Sequence, residues 1–264
     1  MKLKDHSLKL IKRHIAILKE FAGNHINTIY AYEVYNNIFV EDLQCFLESI
    51  KPDSYVLDFG CGRGTTTFVL SNLGYKIVGM DLMVAEHKKD DNSPVFKHKL
   101  QHTIWSSQKK QYGDQADYCL YNGEVLPFQD ESFDAVFAYA VLEHVNNLDK
   151  IMKEIYRVLK KNGILFIART PNKYSILEYF AKSLKYGYHN IKFRRSEISN
   201  LLSENGFLID RIELVDFFPC NIPNQFLNTI YQRFSKCLFF AEKILRKTPI
   251  NLVSHHFRII SHKI

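Results

Sequence analysis

The sequence predicts an α/β protein with a mostly parallel, doubly wound sheet lying between two layers of helices. Three observations lead there. Short apolar segments near 54–59, 75–81, 117–121, 133–139, 163–169, 207–215 and 254–262 alternate with stretches long enough for helices, the pattern of parallel strands joined by crossovers. The first segment runs into three alternate glycines, and the second ends in a carboxylate about 20 residues later, as in nucleotide-binding α/β sheets. A chain of 264 residues, 46% hydrophobic, can bury the core of one such domain with additions.

Taken in order, Leu8, Ile11, Ile15 and Leu18 share one helical face, and Ile38 to Ile50 forms a second helix ending before Lys51-Pro52. Residues 1–50 are thus expected to be a helical cap on a main domain of residues 51–264. Tyr30, Tyr32 and Tyr35 between the helices read as packing residues, with stacking on a ligand as the alternative.

The stretch Val56-Leu57-Asp58-Phe59-Gly60-Cys61-Gly62-Arg63-Gly64 carries the most information. Glycine lacks Cβ, so Gly60, Gly62 and Gly64 let backbone meet a ligand directly. The helix expected from about Thr65 aims free N–H groups at the same place, favouring a carboxylate or phosphate there. Asp81 closes Tyr75-Lys76-Ile77-Val78-Gly79-Met80-Asp81 and can accept from both hydroxyls of a ribose. A dinucleotide fingerprint would need a third glycine where Thr65 stands, and a phosphate-binding P-loop would need a lysine before Thr65-Thr66. The loop therefore suits a nucleotide-like cofactor that is neither.

The interval 82–116 reads as a surface helix and loop at the rim of a site, and His98 and His102 within it lack a third ligand, so no metal centre is expected. From Gln225 to Lys247, Leu227, Ile230, Tyr231, Phe234, Leu238, Ala241 and Leu245 step along one helix face with Arg233, Lys236, Lys243, Arg246 and Lys247 around them. Such an amphipathic helix can pack on the core, roof a pocket or lie in a membrane interface.

The net charge of +7 is uneven: +4 on residues 1–22, +6 on 225–264, and −3 on the region between. Basic ends of this kind are commonly solvated helix faces, and otherwise meet anionic partners. No apolar run approaches the ~20 residues of a membrane span, and the N-terminus has no export signal. Cysteines 45, 61, 119, 220 and 237 show no paired spacing, which suggests a reducing, cytoplasmic compartment.

On these residues the chain resembles the class I S-adenosylmethionine-dependent methyltransferases, whose first motif reads acidic-x-Gly-x-Gly-x-Gly. Asp58, Gly60, Gly62 and Gly64 match it in full. Asn122-Gly123-Glu124-Val125-Leu126-Pro127-Phe128, then Ser132 to Phe137, resemble the family's Leu-Pro-Phe loop and fourth strand. Leu142-Glu143-His144-Val145 and Glu154 to Gly163 are similar to the ubiquinone-biosynthesis-like branch, in which Lys160-Lys161-Asn162-Gly163 would be a varied turn. The resemblance spans about residues 50–215. It implies a Rossmann-like, seven-stranded sheet with an antiparallel last strand, S-adenosylmethionine as cofactor, and contacts from Asp58, Gly60, Cys61, Gly62, Gly64, Asp81, Leu82, Asn122, Gly123 and Tyr139. Asn122 stands where the family usually has Asp, and its carbonyl oxygen can still accept from an adenine amino group. Thr170-Pro171-Asn172 resembles the pocket rim of quinone- and glycan-related members.

A sulfonium methyl is already activated, so the protein's task is to align an acceptor and exclude water. For a hydroxyl acceptor a base is needed, and His144, past the fourth strand's carboxyl end, is the candidate, with a purely local role beside Glu143 as the alternative. The expected substrate is a small molecule of quinone, lipid or glycan type, methylated on oxygen, with peripheral membrane contact through 225–247 as a further option. Tyr139-Ala140-Val141-Leu142 lacks the Asn/Asp-Pro-Pro-Tyr of base-modifying enzymes, and no RNA-binding module is present, so nucleic acid is not expected. RNA or protein methylation, or a silent cofactor-binding scaffold, are the alternatives.

Overall fold

Five of seven strands are buried along most of their length, as a sheet covered on both faces requires. The computed structural model describes residues 2–22, 32–82, 98–113, 115–183, 189, 191–222 and 224–264. Two leading helices, α1 (Lys2–Ala22) and α2 (Glu33–Ser49), precede β1 (Tyr55–Phe59), α3 (Thr65–Asn72), β2 (Lys76–Leu82), α4 (His98–Tyr112) and β3 (Asp117–Tyr121). The chain continues through β4 (Phe133–Tyr139), a 3-10 turn (Leu142–His144), α5 (Leu148–Val158), β5 (Leu159–Pro171), α6 (Ile176–Ser183), α7 (Arg195–Glu204) and β6 (Phe207–Val215). It ends with α8 (Gln225–Arg233), α9 (Ser235–Leu245), a second 3-10 turn (Pro249–Val253) and β7 (His256–Lys263).

The sheet order is β3-β2-β1-β4-β5-β7-β6, parallel except that β7 runs antiparallel to both of its neighbours, as the resemblance implies. Successive side chains of a strand face opposite layers. Leu57, Phe59, Val78 and Met80 pack with Ile151 and Ile155 of α5 and Ile198 and Leu202 of α7. Val56, Ile77, Phe137 and Phe166 pack on the other side with Phe39 and Phe46 of α2, Ile11 and Ile15 of α1, and Val69 and Leu70 of α3. The leading helices therefore share a core with the strands.

Three local expectations change. Lys160 to Gly163 is a bulge inside β5 rather than a turn before it: Leu159 already faces Phe133, the pairing resumes at Ala135 and Ile164, and Asn162 takes φ 60°. Of the 82–116 interval, Leu82, residues 98–113, 115 and 116 are described, and α4 is more than a surface helix, since Ile104, Trp105 and Gln108 are buried. The side chains of His98 and His102, and Tyr30, lie outside the described residues. The single helix expected over 225–247 breaks at Phe234 (φ −89°, ψ 9°) into α8 and α9. Its expected apolar face is only partly covered: Leu227, Ile230 and Phe234 are exposed, as are the flanking Phe226 and Phe240, whereas Tyr231, Leu238, Ala241 and Leu245 are half-buried, and Glu242 is buried among them, accepts from the Phe217 N–H (2.7 Å) and pairs with Arg246 (3.1 Å). Arg246 reaches on to Glu41 of α2 at 2.8 Å, so ion pairs hold this region to the fold.

Candidate active site

The strand order changes direction between β1 and β4, and ligands of open α/β sheets bind beyond the carboxyl ends of the strands at such a point. The glycine loop, Asp81, Leu82, Gly123, Tyr139 and His144 lie at or just past the carboxyl ends of β1 to β4. Gly60, Gly62 and Gly64 have φ of 75°, 55° and 80°, all left-handed. The Gly60 and Cys61 N–H groups donate to Met80 O (2.8 and 2.9 Å), which ties the loop to β2, and Gly64 is the N-cap of α3. A Cβ on Gly60 would lie 2.3 Å from Val141 Cγ2, and one on Gly64 would lie 2.8 Å from the Tyr118 ring. At Gly62 a Cβ would meet only Asp81 Oδ2, 3.9 Å away, so this backbone is bare beside the carboxylate. Asp81 is half-buried; its Oδ2 accepts from Gly62 N–H at 2.6 Å and its Oδ1 from Leu82 N–H at 2.7 Å. Leu82 Cδ2 sits 3.1 Å from where a Cβ of Gly123 would be, so Gly123 (φ 83°) leaves the leucine room.

Four expected contacts are built otherwise. Asp58 is buried, and its Oδ2 accepts from Thr67 Oγ1 at 2.6 Å, so its side chain ties β1 to α3 rather than facing a ligand. Burial raises its carboxyl to about 7, partly offset by the Thr67 bond. The Cys61 side chain packs with Leu18, Ile104 and Trp105, leaving only its backbone for the loop, and burial pushes its thiol upward. The Asn122 Oδ1 accepts from Glu124 N–H at 3.0 Å, closing a local turn, so a lone pair expected for a ligand is already engaged. Asn172 is buried away from any rim: its amide donates to Leu252 O (3.0 Å) and Ser254 O (2.8 Å).

Tyr139, at the end of β4, is buried, stacks on Phe137 (5.6 Å) and meets the edge of Phe39 (5.3 Å). Tyr35 is buried too, with the Arg169 guanidinium 4.7 Å over its ring, and Tyr32 is half-buried at the start of α2. His144 lies in the first 3-10 turn with its side chain 47% exposed and Nε2 3.9 Å from Glu143 Oε1.

Beside His144 lies a set of groups that sequence reasoning missed. Arg169 sits at a bulge in β5 with φ 61° and pairs with Asp216 at 2.9 Å. Asp216, just past β6, also has positive φ (66°) and is 2.6 Å from His256 Nδ1. Ala140, after β4, has φ 50°. Left-handed backbone at non-glycine residues costs energy and clusters at functional sites. Glu143 is buried, and burial raises its carboxyl to about 7 against the pull of His189 and Arg169. Glu178 Oε1 lies 2.6 Å from His189 Nδ1 and 2.9 Å from His255 Nε2, which hold that carboxyl far below its usual range despite burial. The neighbouring His255-His256 pair was the one available signal, and it reads equally well as the start of a strand.

The family described as "Methyltransferase domain" matches residues 57–167. A ubiquinone biosynthesis O-methyltransferase from Pelagibacter ubique is 30% identical over 181 residues, covering 65% of this chain and 67% of that protein. The chain belongs to the class I S-adenosylmethionine-dependent methyltransferases, in their ubiquinone-biosynthesis-like branch. The mitochondrial ubiquinone biosynthesis O-methyltransferase of Rattus norvegicus is 33% identical over 179 residues, which is 62% of this methyltransferase-family chain. The chain spans about half the length (47%) of that rat relative. A methyltransferase structure from Archaeoglobus fulgidus shares the fold, with a TM-score of 0.56 and 17% identity over 93% of this chain and 97% of that one.

Proposed function

We propose that this protein transfers the methyl group of S-adenosylmethionine to an oxygen of a small quinone-type metabolite. The carrying observation is the bare left-handed backbone of Gly60 to Gly64 facing the Asp81 carboxylate, in a chain related to O-methyltransferases of ubiquinone biosynthesis. These residues fit a sulfonium nucleoside: side chains are excluded from Gly60 and Gly64, Gly62 is open, and Asp81 retains acceptor capacity for a ribose. When bound, the cofactor supplies an activated methyl on a positively charged sulfur. Asp81 and the Gly62 backbone orient the nucleoside, and Leu82 with Gly123 forms an apolar wall beside it. Tyr139 and the residues stacked on it exclude water on the acceptor side.

His144 takes the acceptor hydroxyl's proton on its imidazole, with Glu143 Oε1 3.9 Å from its Nε2. His144→Ala should lower turnover by roughly 10²–10⁴-fold while leaving cofactor affinity within about twofold; steady-state kinetics beside calorimetry would show this, and an unchanged rate removes the base. The proposed division of labour has residues 1–50 capping the domain of residues 51–264. Among the described residues no helix is long and apolar enough to cross a membrane. The exposed Phe226, Phe234 and Phe240 among basic residues support peripheral contact with a lipid surface, which sedimentation with anionic vesicles would test. The five cysteines are free, which supports a reducing compartment, and we assign the cytoplasm.

Titration with S-adenosylmethionine tests the cofactor, and labelled cofactor with hydroxylated quinone acceptors tests the transfer. One bound equivalent and a product bearing one methyl on oxygen are expected; binding without product from any such acceptor overturns the O-methylation reading.

A further inference from the structure

Glu178 is carried by α6, His189 by the segment between α6 and α7, and His255 by the residue preceding β7. The ligand-capable atoms of the three, contributed by separate parts of the chain, lie within 4.8 Å of one another. Both imidazole nitrogens converge on the same carboxylate oxygen, Oε1, at 2.6 and 2.9 Å. The other oxygen, Oε2, is occupied: the His189 N–H donates to it at 2.9 Å and Lys192 Nζ at 3.2 Å. The carboxylate is thereby held with one oxygen anchored and the other turned toward two imidazoles.

We propose that Glu178, His189 and His255 form a binding site for a divalent transition metal, zinc or its analogues. Two imidazoles and one carboxylate are a zinc donor set that leaves a fourth position open. Imidazole nitrogen favours transition metals over magnesium or calcium. Lys192 and the His189 N–H act as the outer partners that orient a ligating carboxylate, so the ammonium sits on the oxygen the metal does not use. Bonds of about 2.0–2.2 Å to each ligand require the present hydrogen-bonded contacts to open by roughly half an ångström, which side-chain rotation supplies. Metal entry requires the ligating ring nitrogens to be unprotonated, so the proton each imidazole shares with Oε1 passes to its other ring nitrogen or to solvent, and the cation compensates a carboxylate that is 2% exposed. The site stands beside the acceptor wall, since the His189 and His144 rings are 6.4 Å apart, and its bound ion would tie α6 to the start of β7. The inference does not depend on which molecule is methylated.

The test is titration of the chelator-treated full-length chain with Co²⁺, followed by visible d–d absorption and displacement by Zn²⁺. One equivalent of bound cobalt with the intense bands of a four- or five-coordinate nitrogen–oxygen site is expected, together with a higher melting temperature in Zn²⁺. Glu178→Gln and His255→Ala should each weaken binding by more than the 10–100-fold cost of losing an outer partner. His262→Ala, an imidazole paired to Asp210 elsewhere on β7, should leave it unchanged. Wild-type protein that yields only the weak spectrum of hexa-aquo cobalt overturns the proposal without any variant. A site spectrum that persists in Glu178→Gln and His255→Ala overturns it as well.

Discussion

The proposed cofactor side of the sheet edge, from Tyr55 to Tyr139, and the proposed acceptor side, from Arg169 to Lys263, are built by different means. On the cofactor side the groups that face a ligand are mostly backbone: three left-handed glycines tied to Met80 O, with Asp81 held by the Gly62 N–H. On the proposed acceptor side they are side chains, a buried guanidinium, carboxylates and imidazoles joined by ion pairs and hydrogen bonds: Arg169 with Asp216, Asp216 with His256, Glu178 with His189 and His255. A backbone-built site depends on neighbours in sequence. A site built from buried charges depends on elements far apart in the chain, and each charge is costly once its partner is gone.

That contrast can be broken most directly at Asp216. Asp216→Asn leaves Arg169 buried without its counter-charge and should cost about 3–5 kcal/mol in denaturant unfolding; a loss below about 1 kcal/mol would erase the distinction. Gly60→Ala combines left-handed strain with overlap on Val141 and should cost about 2–4 kcal/mol, with cofactor binding lost in calorimetry. Asp81→Asn keeps the shape and removes the charge, so affinity for S-adenosylmethionine should fall about 10–100-fold with little change in melting temperature.

Asp58 sharpens the comparison from the cofactor side. Its folded value of about 7 lies above the ordinary 3.8, so the folded state holds the proton more tightly. The stability from that proton is full below pH 3.8 and is lost as pH rises through about 7. Wild type should therefore lose stability across this window by up to about 1.4 kcal/mol per pH unit. Asp58→Asn should flatten that part of the urea midpoint against pH, and an unaltered slope would place the titration elsewhere.

The same difference decides what could be read in advance. β3, β4 and β6 fall on the expected 117–121, 133–139 and 207–215, because apolar segments bounded by turn residues mark strands locally. The glycine loop and Asp81 were legible for the same reason. β5 begins earlier than expected because Leu159 pairs with Phe133 before the bulge, which only the partner strand reveals. The apolar stripe of 225–247 pointed inward by its periodicity, and Tyr231, Leu238, Ala241 and Leu245 are half-buried, yet Leu227 and Phe234 are exposed and Glu242 and Arg246, bonded to Phe217 and Glu41, share the inner side. Asp58 matched the motif and Asn122 departed from it, and their side chains bond Thr67 and the Glu124 N–H, since a short polar side chain takes its nearest donor. Arg169, Glu178 and His189 belong to no motif, and their meeting is a product of tertiary structure.

The position of β7 between β5 and β6 carries a consequence for how the protein is made. Strands β1 to β5 can pair as they leave the ribosome, whereas β6 finds no neighbour in the sheet until β7 arrives after α8 and α9. Such long-range pairing comes late and slowly. A nascent chain would thus form the glycine loop and Asp81 before the β5-β7-β6 edge was complete, and if the proposed cofactor site is right, ligand present during synthesis would act on the half that forms first.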